Sequence, residues 1–156
     1  MKFKLTLIAV FVAATALTAC GGSDSGSSGG VAVSSPAALT KIDTVVGTGA
    51  VAAVGTIATV KYTGWLYNSA VADFKGSQFD SGTINAAGAL SNPAYRVGAT
   101  SGNMLIAGFD QGVTGMKVGG KRTILIPSSL GYGASGTGGI PPNSGLVFEV
   151  ELTAVN

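Results

Sequence analysis

The 156-residue sequence predicts an α+β domain, a mostly antiparallel β-sheet whose apolar face is covered by one short α-helix. Short runs of period-two alternation recur along the chain and read as half-buried strands. Gly, Pro, Asn or Ser bound each of them, which supplies the turns between antiparallel neighbours. Only one stretch, Met104 to Gly115 (MLIAGFDQGVTG), has a helical pattern, and Gly108, Gly112 and Gly115 limit it to a turn or two.

In chain order, Ile42 to Val46 is a short strand candidate. Ile57 to Tyr67 (IATVKYTGWLY) is the clearest: Val60, Tyr62 and Leu66 share one face, and Thr59, Lys61 and Thr63 the other. Gln78 to Ser81 and Ala94 to Val97 are further short candidates. After the helix, Lys121 to Pro127 (KRTILIP) is a strand stopped by its proline. In the last strand Phe148, Val150 and Leu152 alternate with Val147, Glu149, Glu151 and Thr153. No internal repeat is evident.

The N-terminal region has a different character. Lys2 and Lys4 precede an uncharged apolar run, Leu5 to Leu17, that ends in small residues, the layout of a secretory signal peptide over residues 1–19. The run is shorter than the roughly 18 to 20 apolar residues a spanning helix needs, and Gly and Ser follow it in place of a basic stop-transfer cluster. Leu17 to Cys20 (LTAC) resembles the lipobox of bacterial lipoproteins. Cys20 is the only cysteine of the chain, so it cannot form an internal disulfide; it is a free thiol, an intermolecular bridge or a modified residue. As a lipidated N-terminus it would carry acyl chains, each buried methylene contributing roughly 0.8 kcal/mol of membrane binding. Gly21, and not Asp, follows it, which by resemblance to Gram-negative lipoproteins implies the outer membrane, facing the periplasm.

Gly21 to Pro36 (GGSDSGSSGGVAVSSP) cannot bury enough apolar surface to offset the entropy of ordering it, and reads as a flexible tether with a reach of about 20 to 24 Å. The expected organisation is therefore a signal peptide over 1–19, a lipidated Cys20 and tether over 20–37, and one globular domain over 38–156. Loss of 19 of the 156 residues leaves 137, enough for one domain with a core. It also removes Lys2 and Lys4, leaving seven basic residues against seven acidic ones. With no basic patch among aromatics, no nucleic-acid partner is expected. The expected contacts are a membrane, through Cys20, and other polypeptides, made by a monomer.

The chain has no histidine. Ser/His/Asp hydrolysis, Cys/His catalysis and ordinary zinc sites lose their usual bases and ligands, and neither metal nor cofactor is expected. A G-x-S-x-G string at Gly26 to Gly30 lies in the tether with no strand before it. Gly131, Gly133 and Gly136 spell G-x-G-x-x-G, but TGGIPP follows in place of a helix. What remains is aromatic, apolar and glycine-rich, suited to chemistry that needs a shaped apolar pocket and a few hydrogen bonds.

Four segments stand in order along the domain: VKYTGWL at Val60 to Leu66, QFDSG at Gln78 to Gly82, GFDQGVTGMKVGGKRTILIP at Gly108 to Pro127, and GYGASGTGGIPPNSGLVFEVEL at Gly131 to Leu152. Together they resemble the FKBP family, prolyl isomerases that bind the macrolide tacrolimus. The resemblance implies a twisted antiparallel sheet wrapped around a short helix, with an aromatic pocket between the two. It implies Tyr62 and Phe148 on the pocket walls, Phe79 beside them and Phe109 at the floor. Leu105 and Ile106 fall at the rim, where the family uses a backbone N–H to bind ligand. Asp80 falls as a buried-edge acceptor, Tyr132 offers its hydroxyl, and Ile140 closes the flap side. Read alone, the phenylalanines are plain core of a small β-rich domain, Asp80 a turn residue and Tyr132 a loop aromatic. The chain departs from the family's pattern in having Phe109 where Trp is frequent, and Pro93 where an aromatic usually precedes Tyr95 by two residues.

The implied activity is cis/trans isomerisation at proline in other polypeptides, with tacrolimus-type macrolides as further ligands. Rotation about the X–Pro bond breaks amide resonance, a barrier near 18 to 20 kcal/mol for amides generally. The twisted amide is less polar than the planar one, so an apolar pocket that strips water from the carbonyl favours the transition state. A non-catalytic lipoprotein that grips proline-containing segments as a chaperone or assembly factor stands as an alternative, and a purely structural envelope lipoprotein as another.

Overall fold

The computed structural model describes residues 33–84, 95–99 and 105–156. The chain divides into two units, 1–30 and 31–156, and every described residue lies in the second. The expected signal segment, Cys20 and residues 21–32 of the tether lie outside the described residues.

Among the described residues five strands build one sheet: β1 (Thr40–Val45), β2 (Ala58–Tyr67), β3 (Lys75–Ile84), β4 (Lys121–Ile126) and β5 (Leu146–Val155). Their order is β1-β4-β5-β2-β3, and every neighbouring pair is antiparallel. Among the described residues a single α-helix, α1 (Ala107–Val113), lies between β3 and β4 in sequence. This is the α+β sheet-and-helix architecture that the alternation predicts.

Three elements differ from expectation. β3 runs over ten residues in place of four, because it pairs with β2 from Tyr67↔Lys75 to Val60↔Ile84 while most of its side chains face water. An exposed edge strand carries no apolar alternation to read. Tyr95 to Val97 forms only an isolated bridge, Arg96 to Ile57, and Gly98 then turns the chain at φ 76°; Ala94 lies outside the described residues. The helix is shorter than Met104 to Gly115, and Met104 too lies outside the described residues. Val147, expected to face outward with Glu149, is fully buried. Its cross-strand neighbours are Trp65 and Leu125, so the outer face is apolar there.

The core lies between the inner face of the sheet and α1. It gathers Val60, Phe109, Val113, Ile124, Ile126, Leu146, Phe148, Val150 and Leu152. Gly108 and Gly112 are the helix's contact surface. A Cβ on Gly108 would lie 2.3 Å from Ile126 Cγ2, and one on Gly112 2.5 Å from Ile124 Cδ1. The glycines that weaken the helix on propensity let its backbone sit directly on β4.

Side chains of the strands satisfy the C-terminal carbonyls of the helix. Arg122, 8% exposed, donates through Nη1 to the Gly112 carbonyl at 2.7 Å, and through Nε and Nη2 to both carboxylate oxygens of Asp43 at 2.7 and 3.1 Å. Lys41 Nζ donates to the Gln111 carbonyl at 2.9 Å. Cations at this end also suit the helix dipole. Ser34 to Pro36, read as the end of the tether, are bonded into the domain: the Gly145 N–H donates to the Ser34 carbonyl at 2.9 Å and the Ser128 N–H to Ser35 Oγ at 3.0 Å.

Candidate functional site

The site begins with a gap in β2. Gly64 stands opposite Phe148 on β5 and opposite Asp80 on β3. A Cβ there would lie 2.8 Å from Phe148 Cε1 and 2.8 Å from Phe79 Cζ, so the glycine leaves the space into which both rings turn. At the same point the β2–β3 register slips: Gly64 pairs with Asp80 and Trp65 with Gln78, which leaves Phe79 as the extra residue of a bulge. In a regular strand neighbouring side chains point to opposite faces. The bulge re-aims one of them, and Phe79 and Asp80 line the same cavity.

That cavity has a volume of about 50 Å³ and is lined by Tyr62, Phe79, Asp80, Ile84, Leu105, Ile106, Phe109, Tyr132 and Phe148. A single water needs at least about 10–15 Å³ of such space, so the cavity has room for a small group of atoms. Phe148 is the hub of the aromatic set. Its centroid lies 5.2 Å from Phe109 and 5.6 Å from Phe79, both nearly edge-to-face, and 6.1 Å from Tyr62. Tyr62 meets Phe109 edge-to-face at 5.9 Å. These are favoured aromatic geometries, and they hold the walls in one arrangement.

The polar groups sit at the edge. The Tyr62 hydroxyl donates to Asp80 Oδ2 at 2.8 Å, and the Ser81 N–H donates to Oδ1 at 2.8 Å. Burial, then the hydrogen bond to Asp80 and its charge, push the Tyr62 hydroxyl up to about 12. Burial and then the Asp80 charge also raise Tyr132. Both phenols therefore keep their protons at neutral pH. Among the described residues neither the Tyr132 hydroxyl nor the Ile106 N–H has a hydrogen-bond partner, so each is free to bind a carbonyl presented at the rim.

Beneath the floor, Tyr95 is buried with its ring 6.3 Å from Phe109, and its hydroxyl donates to Asp110 Oδ1 at 2.9 Å. Burial first, and then the Asp110 charge, raise the Tyr95 hydroxyl far above the ordinary tyrosine range. The Gly98 N–H donates to the same carboxylate.

Eight of the nine residues expected at the pocket come together: Tyr62, Phe79, Asp80, Leu105, Ile106, Phe109, Tyr132 and Phe148. Ile140 does not line the cavity. It is 6% exposed, belongs to the hydrophobic core, and is bridged to Thr137 within its loop. Asp80 is exposed, not buried at the edge, because β3 is the outermost strand on that side. Cys20 lies outside the described residues. Ile84 lines the cavity without having been singled out from the sequence. Its signal was present: past the bulge, Asp80, Gly82 and Ile84 share one face at period two.

Among the described residues three larger depressions lack this character. One of about 250 Å³ is lined by charged residues such as Lys61, Lys121, Glu149 and Glu151. Another, of about 300 Å³, lies beside Val33, Ser34, Tyr67 and Pro141. The third, of about 80 Å³, lies beside Asp43, Val46, Lys117 and Arg122. None gathers the aromatic rings. Among the described residues no three His, Cys, Asp or Glu side chains converge as a metal site, and no helix is long and apolar enough to cross a membrane.

Residues 49–153 match the family described as FKBP-type peptidyl-prolyl cis-trans isomerase. The FK506-binding protein of Neisseria meningitidis serogroup B is 44% identical over 110 residues, covering 70% of this chain and 88% of that protein. FK506-binding protein 1B of Neurospora crassa is 42% identical over 115 residues, covering 73% of this chain and 95% of that one. Among solved structures, FkpA from Escherichia coli is similar with a TM-score of 0.58 at 30% identity, over 80% of this chain and 51% of that chain.

Proposed function

This chain belongs to the FKBP-type peptidyl-prolyl cis-trans isomerases, and from that premise we propose that it speeds isomerisation at proline in exported polypeptides of a bacterial cell envelope, held there by lipid on Cys20. The observation that carries the catalytic reading is the aromatic cavity, closed by Phe109 and Phe148 and edged by two unengaged donors, the Ile106 N–H and the Tyr132 hydroxyl.

The prolyl ring enters among Tyr62, Phe79, Phe109 and Phe148, and the two donors hold the flanking carbonyls. Phenylalanine rings offer the X–Pro carbonyl no hydrogen bonds to replace those it loses to water. The planar amide, with its larger dipole, is disfavoured there relative to the twisted one. Asp80 fixes the Tyr62 hydroxyl and orients the dipoles at the edge; it transfers no proton. No bond is made or broken, and a chain without histidine needs no substitute for it.

A peptide isomerisation assay on the purified protein, with and without tacrolimus, tests this. Acceleration abolished by the macrolide is expected. Tight binding of proline-containing peptides without acceleration would replace the enzyme with a binding module.

The envelope setting is supported by the apolar run Leu5 to Leu17 and by LTAC ending at Cys20. Cys20→Ala should convert a membrane-bound protein into a retained precursor or a soluble one. A variant that still fractionates with membranes and carries lipid would rule out Cys20 as the anchor. With Gly21 after the cysteine, the parent should be recovered with outer membranes.

A further inference from the structure

We propose that Ser34–Pro36 is a strap that positions Tyr132 for the isomerase reaction, by holding both roots of the loop that carries it. The proposal rests on the reading of the aromatic cavity as the substrate site. That loop leaves β4 after Ile126 and rejoins the sheet at Leu146. At its first root the Ser128 N–H donates to Ser35 Oγ at 3.0 Å. At its second the Gly145 N–H donates to the Ser34 carbonyl at 2.9 Å. Ser34 Oγ also donates to the Tyr67 carbonyl at 3.0 Å, while the Tyr67 N–H donates to the Gly145 carbonyl at 2.9 Å. Strap, end of β2 and second root thus form one network.

Gly145 is the seat of the strap. A Cβ there would lie 2.5 Å from Pro36 Cδ and 2.7 Å from Ser35 Cα. Gly145 is buried, so its N–H would lose its acceptor if the strap left. Within the loop, the Gly133 N–H donates to the Ser128 carbonyl at 2.9 Å and the Asn143 N–H to the Gly133 carbonyl at 2.8 Å. The two arms of the loop are therefore tied together one residue from Tyr132, and each arm ends on the strap. The strap precedes residues 49–153, the span that matches the family, so this hold on the loop comes from outside the matched domain.

The test compares the whole protein with Ser35→Ala, which removes one acceptor, and with Gly145→Ala, which pushes the strap off its seat. Both variants should raise KM for a proline-containing tetrapeptide and Kd for tacrolimus by about three- to tenfold, the span that one neutral hydrogen bond covers. Amide exchange should quicken at Ser128, Tyr132 and Gly145 while the core strands stay protected. In a Tyr132→Phe background neither variant should weaken binding further, because the group being positioned is gone. Equal losses with and without the Tyr132 hydroxyl would make the strap a general stabiliser and overturn the proposal, as would unchanged binding in both backgrounds. Should Gly145→Ala fail to fold, Ser35→Ala decides alone. If the parent neither isomerises nor binds tacrolimus, the substrate-site reading falls; unchanged exchange at the loop roots would then sink the strap as well, whereas quickened exchange there would uphold its hold on the loop.

Discussion

At the scale of residues, the site separates side chains that shape the cavity from side chains that also hold the fold. Phe148 meets three aromatic neighbours and is 5% exposed. Phe148→Ala should cost about 3 to 5 kcal/mol of stability and so is a poor probe of function. Tyr132→Phe deletes one loop hydroxyl that has no hydrogen-bond partner among the described residues, and its unfolding free energy should stay within about 1 kcal/mol of the parent. Asp80→Val keeps similar bulk on an exposed edge strand but removes the acceptor of the Tyr62 hydroxyl. Both variants should melt near the parent while isomerisation and tacrolimus binding fall, Asp80→Val by more. If both stay fully active while folded, the site assignment fails.

The titration of the site also belongs to single residues. Activity should be flat between about pH 6 and 8, where no histidine titrates and both phenols keep their protons. The Tyr62 hydroxyl is raised to about 12, so folding favours its neutral form. Its contribution is fully present below the ordinary tyrosine value near 10 and is lost as pH rises through 12. A pH–rate profile with a bell between pH 6 and 8 would contradict a mechanism without proton transfer.

At the scale of elements, the seating of α1 on β4 depends on two glycines one turn apart. Gly108→Ala would place a methyl group 2.3 Å from Ile126 Cγ2 and 3.1 Å from the Leu130 carbonyl. Alanine gains about 1 kcal/mol of helix propensity, whereas overpacking of this kind costs about 1 to 3 kcal/mol. The helix also carries Phe109, so it must shift to relieve the clash. A lower denaturation midpoint with a raised KM is the expected result. A more stable variant with unchanged KM would show that the helix has slack against the sheet.

At the scale of the whole molecule, Arg122 joins β4 to β1 through Asp43 and to the end of α1 through the Gly112 carbonyl. The Arg122 guanidinium beside it holds the Asp43 carboxyl below its ordinary 3.8. A depressed carboxyl stabilises the fold above its unfolded value and loses that contribution as pH falls through the folded one. The parent should therefore lose stability below about pH 4, and Asp43→Asn should lower the melting temperature at neutral pH but lose less on acidification. Melts across that range check this; parallel curves would remove Asp43 from the acid transition. The pair is partly exposed, so high salt should shrink the difference.

Local chemistry was enough to predict the α+β class, the long strands β2 and β5 and the stop of β4 at Pro127, because alternation and turn residues act within a few positions. The pocket residues come from the resemblance to the FKBP family; read alone they are core, turn and loop residues, and eight of the nine line one cavity. What required the tertiary structure were the features made by partners distant in sequence. The bulge that turns Phe79 and Asp80 to one side exists only in the β2–β3 register, and Ile84 follows from it. Ile140 passes from the expected flap side of the pocket into the core because the loop folds back on itself at Thr137. Ser34 to Pro36 read as tether by composition, since three small residues bury little surface of their own; they are ordered by acceptor-seeking amides of Ser128 and Gly145, more than ninety residues on.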